Sequence, residues 1–131
     1  MIGDPTAPSL ADIESIAAAA LASIPEELRR HARHVVIRVE EFPDDDTLAD
    51  LGLESQFDLL GLYRGVALPR KTVFSTPQNV DMIFLYRRPI LDYWCESREN
   101  LADVVRHVLI HEIGHHFGFS DADMERIENQ P

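Results

Sequence analysis

One cysteine, Cys95, is present in 131 residues, so no internal disulfide can form. It lies in the apolar stretch Ile90-Leu91-Asp92-Tyr93-Trp94-Cys95 and is expected to be a small core residue rather than a nucleophile. Positive charge is also scarce. Twelve Lys and Arg stand against 23 Asp and Glu, a formal net charge of −11. Such a surface repels phosphate backbones and anionic lipid, which disfavours nucleic acid and membrane as partners. It attracts basic peptides, although solubility is the commoner consequence of acidity. Long hydrophobic runs are missing as well. The apolar segment Ile16–Ile24 is too short to span a bilayer. The residues before it carry Asp4, Asp12 and Glu14 with no Lys or Arg, the reverse of a secretory signal. The expected setting is therefore cytoplasmic, with Ile16–Ile24 as part of an ordinary helix.

The hydrophobic share of 45% and charged share of 27% are those of a globular chain. Residues 1–8, with Gly3, Pro5 and Pro8, read as a flexible N-terminal arm, and 9–131 as a single domain. Ser9 is the expected N-cap of a helix from Leu10 to Ala22, with Ile13, Ile16, Ala17, Ala20 and Leu21 as its core stripe. Ser23-Ile24-Pro25-Glu26 has the form of a capping box before a short helix to Ala32. Val35–Glu40 is a β-branched strand. The acidic run Asp44-Asp45-Asp46 lacks the spaced ligands and glycine of an EF-hand loop, so it reads as solvated loop and helix cap. Leu59–Leu68 is a second strand, bent at Gly65. A polar connection through Ser75, Thr76 and Pro77 leads to a third strand, Asp81–Arg87. Pro89 is expected at the first position of a short helix, and Ser97 as N-cap of a long one running to Phe117. Asp121 to Glu128 forms the last helix. Strands mixed with helices in this order give an α+β fold, with a small three- or four-stranded mixed sheet packed against helices.

The chemistry is concentrated in His111-Glu112-Ile113-Gly114-His115-His116-Phe117-Gly118-Phe119-Ser120-Asp121, which reads H-E-x-x-H-x-x-G-x-x-D. Residues four apart on an α-helix share a face, so His111 and His115 can reach one Zn²⁺. Glu112 lies beside the first ligand, where its carboxylate can act on water as general base. Gly118 falls where a helix often ends in a left-handed turn, and that turn can return Asp121 as third ligand. Three protein ligands leave a fourth position open, as catalytic zinc requires.

Other residues compete for these roles. His107 precedes His111 by one turn and offers an alternative ligand pair, but nothing matching the glycine turn supplies its third ligand. Asp123 rivals Asp121, and Asp121 can be read as the N-cap of the last helix. His116 projects about 100° from His115 and suits packing. His31 and His34 flank a helix end, where a dipole or capping role is the default. Tyr63, Tyr86 and Tyr93 each have the chemistry to stabilise an oxyanion, and each also suits a core or sheet position.

The motif and its surroundings resemble the small zincin-like metallopeptidases with H-E-x-x-H-x-x-G-x-x-D. The resemblance extends over Ile24–Leu28, Leu60–Val66, Ile83–Ile90 and Val108–Gly118, covering the chain from about Ser23 to Glu128. It implies a minimal zincin fold, with zinc held by His111, His115 and Asp121 and Glu112 as base. Metzincins carry His where Asp121 stands, and Met124 lies too close to the third ligand for a Met-turn. Ten residues follow Asp121, so the subdomain that walls the cleft of larger metalloproteases is not expected, and a protein partner is one way to complete the cleft. The resulting expectation is a zinc metallopeptidase hydrolysing peptides or flexible protein segments with a metal-activated water. The alternative is a zinc-binding module that holds peptides without cutting them.

Overall fold

The computed structural model describes residues 6–68 and 78–130. The five first residues of the expected arm, and the connection through Ser75, Thr76 and Pro77, lie outside the described residues. The chain starts with helix α1 (Leu10–Ser23). Its entry is fixed by a reciprocal cap in which Asp12 N–H donates to Ser9 Oγ at 3.0 Å and Ser9 N–H to Asp12 Oδ2 at 2.9 Å. The short helix α2 (Glu26–Arg29) tightens into a 3₁₀ turn over Arg30–Ala32. Pro25 precedes it without a side-chain cap. Ser23, the expected cap, instead donates to Ala20 O at 2.7 Å and so closes α1.

Strand β1 (Val36–Glu40) follows, then α3 (Asp45–Leu51). Asp44 caps α3 by accepting from Thr47 N–H at 2.7 Å. Two of the three acids expected in a loop therefore form the first turn of a helix, where the dipole favours negative charge. Strands β2 (Gly61–Leu68) and β3 (Gln78–Tyr86) complete a three-stranded sheet of order β1-β3-β2. β1 runs parallel to β3, with Ile37 opposite Ile83. β2 is antiparallel to it, with Tyr63 opposite Ile83. Gly65 pairs in register with Asp81, so no break occurs at the expected bend. β3 is central, which explains why Ile83 and Leu85 are fully buried. β2 lies at the edge.

Strand alternation turns Ile37, Val39, Tyr63, Ile83 and Leu85 onto one face of the sheet. There they meet α1 and α5 (Leu101–His116), whose Ile13, Ala17, Val104, Val105, Leu109 and Ile113 belong to the same core. Gly61 lets α5 approach the sheet: a Cβ there would meet Val108 Cγ1 at 2.7 Å and Phe84 O at 3.0 Å.

Helix α4 (Arg87–Glu96) begins two residues before Pro89. Proline is tolerated there because the first four helical N–H groups have no intrahelical acceptor. α4 buries Pro89 and Ile90. Cys95, five residues past Ile90, is turned well away from that face and is exposed, not core. Asn100, not Ser97, caps α5 by accepting from Asp103 N–H at 2.9 Å. The last helix is α6 (Asp121–Glu128). Among the described residues, no helix is long and apolar enough to cross a membrane.

Candidate metal centre

Helix α5 ends as the glycine spacing predicts. Gly118 has φ +79°. Phe119 N–H donates to Gly114 O at 2.9 Å, and Gly118 N–H to His115 O at 3.3 Å. These two bonds form a Schellman turn that reverses the chain and starts α6. Ser120 caps α6 with Asp123 in a reciprocal box. Asp121 is thus the first helical residue rather than the cap, and Asp123 is committed to Ser120 and to Arg126, 3.7 Å away. Met124 and Ile127 of α6 are fully buried. Met124 lies so close to Gly114 that any side chain there would collide with it.

This turn lays α6 against a ridge of three histidines on α5. His107, His111 and His115 are spaced by four residues and share one face. Their ring centroids are 4.1 Å apart for His107 and His111 and 5.8 Å for His111 and His115. Asp121 and Glu128 are seven residues apart on α6, two turns, and also share a face. His115 Nε2 stands 3.8 Å from Asp121 Oδ1. His111 Nε2 stands 3.3 Å from Glu128 Oε2, and His107 Nδ1 contacts Glu128 Oε1.

The sequence-predicted ligands thus lie along one seam but do not form the tightest cluster. Among the described residues, the His, Cys, Asp and Glu donors that all fall within 4.8 Å of one another belong to His107, His111 and Glu128. Glu128 was missed because no motif extends that far. Its two-turn spacing from Asp121 puts it on the same face of α6, but only the packing of α6 on α5 brings it to the histidines. The third donor atom that the pair His107/His111 lacked in the sequence reading lies at the end of α6, not at the glycine turn.

Glu112, the residue after His111, reaches the sheet. Its Oε1 accepts from Tyr63 N–H on edge strand β2 at 3.2 Å. Burial pushes its pKa above the usual carboxylate range, opposed by the Tyr63 hydrogen bond and the nearby His115. Tyr63 is itself fixed. Its hydroxyl donates to Asp81 Oδ2 at 2.7 Å, and its ring stacks on His116 with centroids 4.0 Å apart. Burial, then the Asp81 carboxylate, hold the Tyr63 proton well above the ordinary tyrosine range. Tyr93 is on α4, its hydroxyl 3.4 Å from Glu99. His116 is a packing residue, as expected. His31 is one too, stacked on Phe117 at 5.0 Å and edge-on to Phe119 at 5.6 Å, rather than a helix cap.

The donor set suits zinc: imidazole nitrogens and carboxylate oxygens in a partly exposed seam that an ion can enter. A family model for zincin-like metallopeptidases matches residues 32–130, a span that contains the whole sheet, the H-E-x-x-H helix and α6. The chain belongs to the zincin-like metallopeptidase family. Among curated proteins, none matches it significantly. The matched span begins after α1, which packs against α5 in the same core. Membership implies a metal-dependent peptidase class, and the seam between α5 and α6 is where this zincin offers metal-binding donors.

Proposed function

We propose that this zincin-like chain is a zinc-dependent metallopeptidase that hydrolyses peptide bonds in short peptides or flexible protein segments. The observation that carries this reading is the position of Glu112, next to His111 in sequence and hydrogen-bonded at 3.2 Å to the edge strand β2. His111, His115 and Asp121 would hold the zinc. Bound there, zinc supplies Lewis-acid polarisation of a carbonyl and acidifies water.

The protein's own residues supply orientation and proton transfer. Among the described residues β2 pairs with β3 on one side only, which leaves its other edge for an extended peptide to join as an added strand. Tyr63 N–H points to Glu112, so strand alternation turns the N–H and C=O of Gly65 to the same side. A peptide bound along this edge brings its scissile carbonyl past Glu112. The carboxylate takes a proton from water as oxygen adds to the carbonyl carbon, and returns it to the amine as the C–N bond breaks. Burial, which raises the proton affinity of Glu112, suits a group that both accepts and gives back a proton. A cytoplasmic setting accords with the exposed single cysteine.

The test is cleavage of an unstructured peptide library by metal-stripped protein, before and after zinc is restored. Zinc-dependent cleavage with new amino termini is the expected result. Peptide binding with no cleavage at full zinc occupancy would favour the second reading, a zinc-dependent peptide-binding module.

A further inference from the structure

We infer that the seam between α5 and α6 holds a second metal position, formed by His107, His111 and Glu128, one helical turn from the hydrolytic set. Its ligand would be a divalent transition cation of borderline softness such as zinc, cobalt or nickel, because two imidazoles and one carboxylate are the donors. Three donor atoms from these residues lie within 4.8 Å of one another. Zinc–ligand bonds of about 2.0–2.1 Å put tetrahedral ligand atoms about 3.4 Å apart. His111 Nε2 and Glu128 Oε2, at 3.3 Å, already stand at that separation.

The surrounding contacts hold the donors in place without using them up. Arg106, next to His107, donates from Nη1 to the backbone carbonyl of Glu128 at 2.8 Å and so fixes the end of α6 while leaving the carboxylate to the histidines. Arg126 pairs with both carboxylate oxygens of Glu27, at 2.9 and 2.7 Å. Met124 and Ile127 bury the inner face of α6. The His107 side chain is 47% exposed and the Glu128 side chain 27%, so a cation reaches them from solvent.

His111 belongs to both sets, and Nε2 has one lone pair. An ion held by His107, His111 and Glu128 therefore withdraws His111 from His115 and Asp121. A cation that favours this position over the hydrolytic one would then lower hydrolysis in competition with zinc, in proportion to its share of His111. That consequence rests on the peptidase reading, whereas the second site does not.

The test is titration of Co²⁺ into the metal-stripped full chain, read by visible absorption and by thermal melting. His115→Ala with Asp121→Asn removes the hydrolytic set and is expected to retain one cobalt per chain. Adding His107→Ala or Glu128→Gln to it should weaken that binding by roughly tenfold or more. The proposal is overturned if the double variant binds no cobalt, or if its binding is indifferent to His107 and Glu128. His107→Ala with Glu128→Gln in the otherwise native chain is the counterpart. If it binds no metal while the first double variant does, the hydrolytic set fails and the second site stands. The exposed position of His107 makes its alanine variant safe to fold, and it carries the test alone should Glu128→Gln unfold the chain.

Discussion

Glu112 and Tyr63 are 49 residues apart in sequence and joined by a 3.2 Å hydrogen bond from the backbone N–H of one to the carboxylate of the other. The bond ties the H-E-x-x-H helix to the free edge of the sheet. It places the proposed base at the line along which a peptide would bind. The N–H comes from the backbone, so no side-chain substitution at Tyr63 removes the donor itself.

Tyr63→Phe therefore separates two roles. It keeps the N–H and the ring that stacks on His116, and loses only the hydroxyl bonded to Asp81. Peptide cleavage should stay within about tenfold of wild type, while stability falls by about 0.5–1.5 kcal/mol for one lost hydrogen bond. A loss of kcat of about 10²–10³ at unchanged KM would instead make the hydroxyl an oxyanion donor.

Asp121→Asn is predicted to weaken zinc binding by roughly tenfold or more, measured against a competing chelator. The metal-free melting temperature should barely move, because Ser120 and Asp123 form the cap of α6 and Asp121 is almost fully exposed. A change within about 0.5 kcal/mol is expected for such a site. Equal zinc affinity in mutant and wild type would remove Asp121 from the ligand set.

Two glycines on either side of His115 should respond differently to alanine. Gly118→Ala meets no atom within 4 Å, and its cost is the left-handed backbone at φ +79°, about 1–2 kcal/mol. Gly114→Ala collides with Met124 and should cost about 1–3 kcal/mol by overpacking. Of the two, Gly114→Ala should also loosen α6 and lower metal affinity more than its thermal shift alone would suggest. Denaturant melts and metal titrations of both variants check this.

Alkaline stability is set in part by Tyr86, which is buried, with its pKa pushed up to about 12 by burial and then by Glu40. An unfolded tyrosine titrates near about 10. The folded protein thus holds this proton more tightly, and the contribution is full below about pH 10 and lost as pH rises through about 12. Melting temperature should fall across that window, and fall less steeply in Tyr86→Phe. Tyr63, shifted in the same direction, adds to the effect.

Much of this was legible in the chain. The β-branched run at Val36–Val39 and the 3-4 stripe of α1 specify their elements directly, because burial on one face leaves a period that sequence shows. Gly118 was readable because few other residues accept its conformation. What escaped was decided by tertiary contacts. Ser97 and Asn100 are both good caps, and only the register of α5 against the core selects Asn100. α4 starts at Arg87 because β3 ends there, with Arg88 N–H bonded to Glu41 O at 3.1 Å, and Pro89 is merely tolerated in the first turn. Glu128 depends on the angle at which α6 returns over α5, which no local spacing encodes.

The most direct measurement is the rate of peptide cleavage by Glu112→Gln relative to wild type, with zinc occupancy matched in both. Gln keeps the size of the side chain and an oxygen for the Tyr63 N–H, but it cannot hold a proton in transit. A fall of about 10²–10⁴ in kcat with zinc and peptide binding unchanged is predicted. Turnover that survives the substitution at equal zinc occupancy would contradict the role of Glu112, and with it the proposed mechanism.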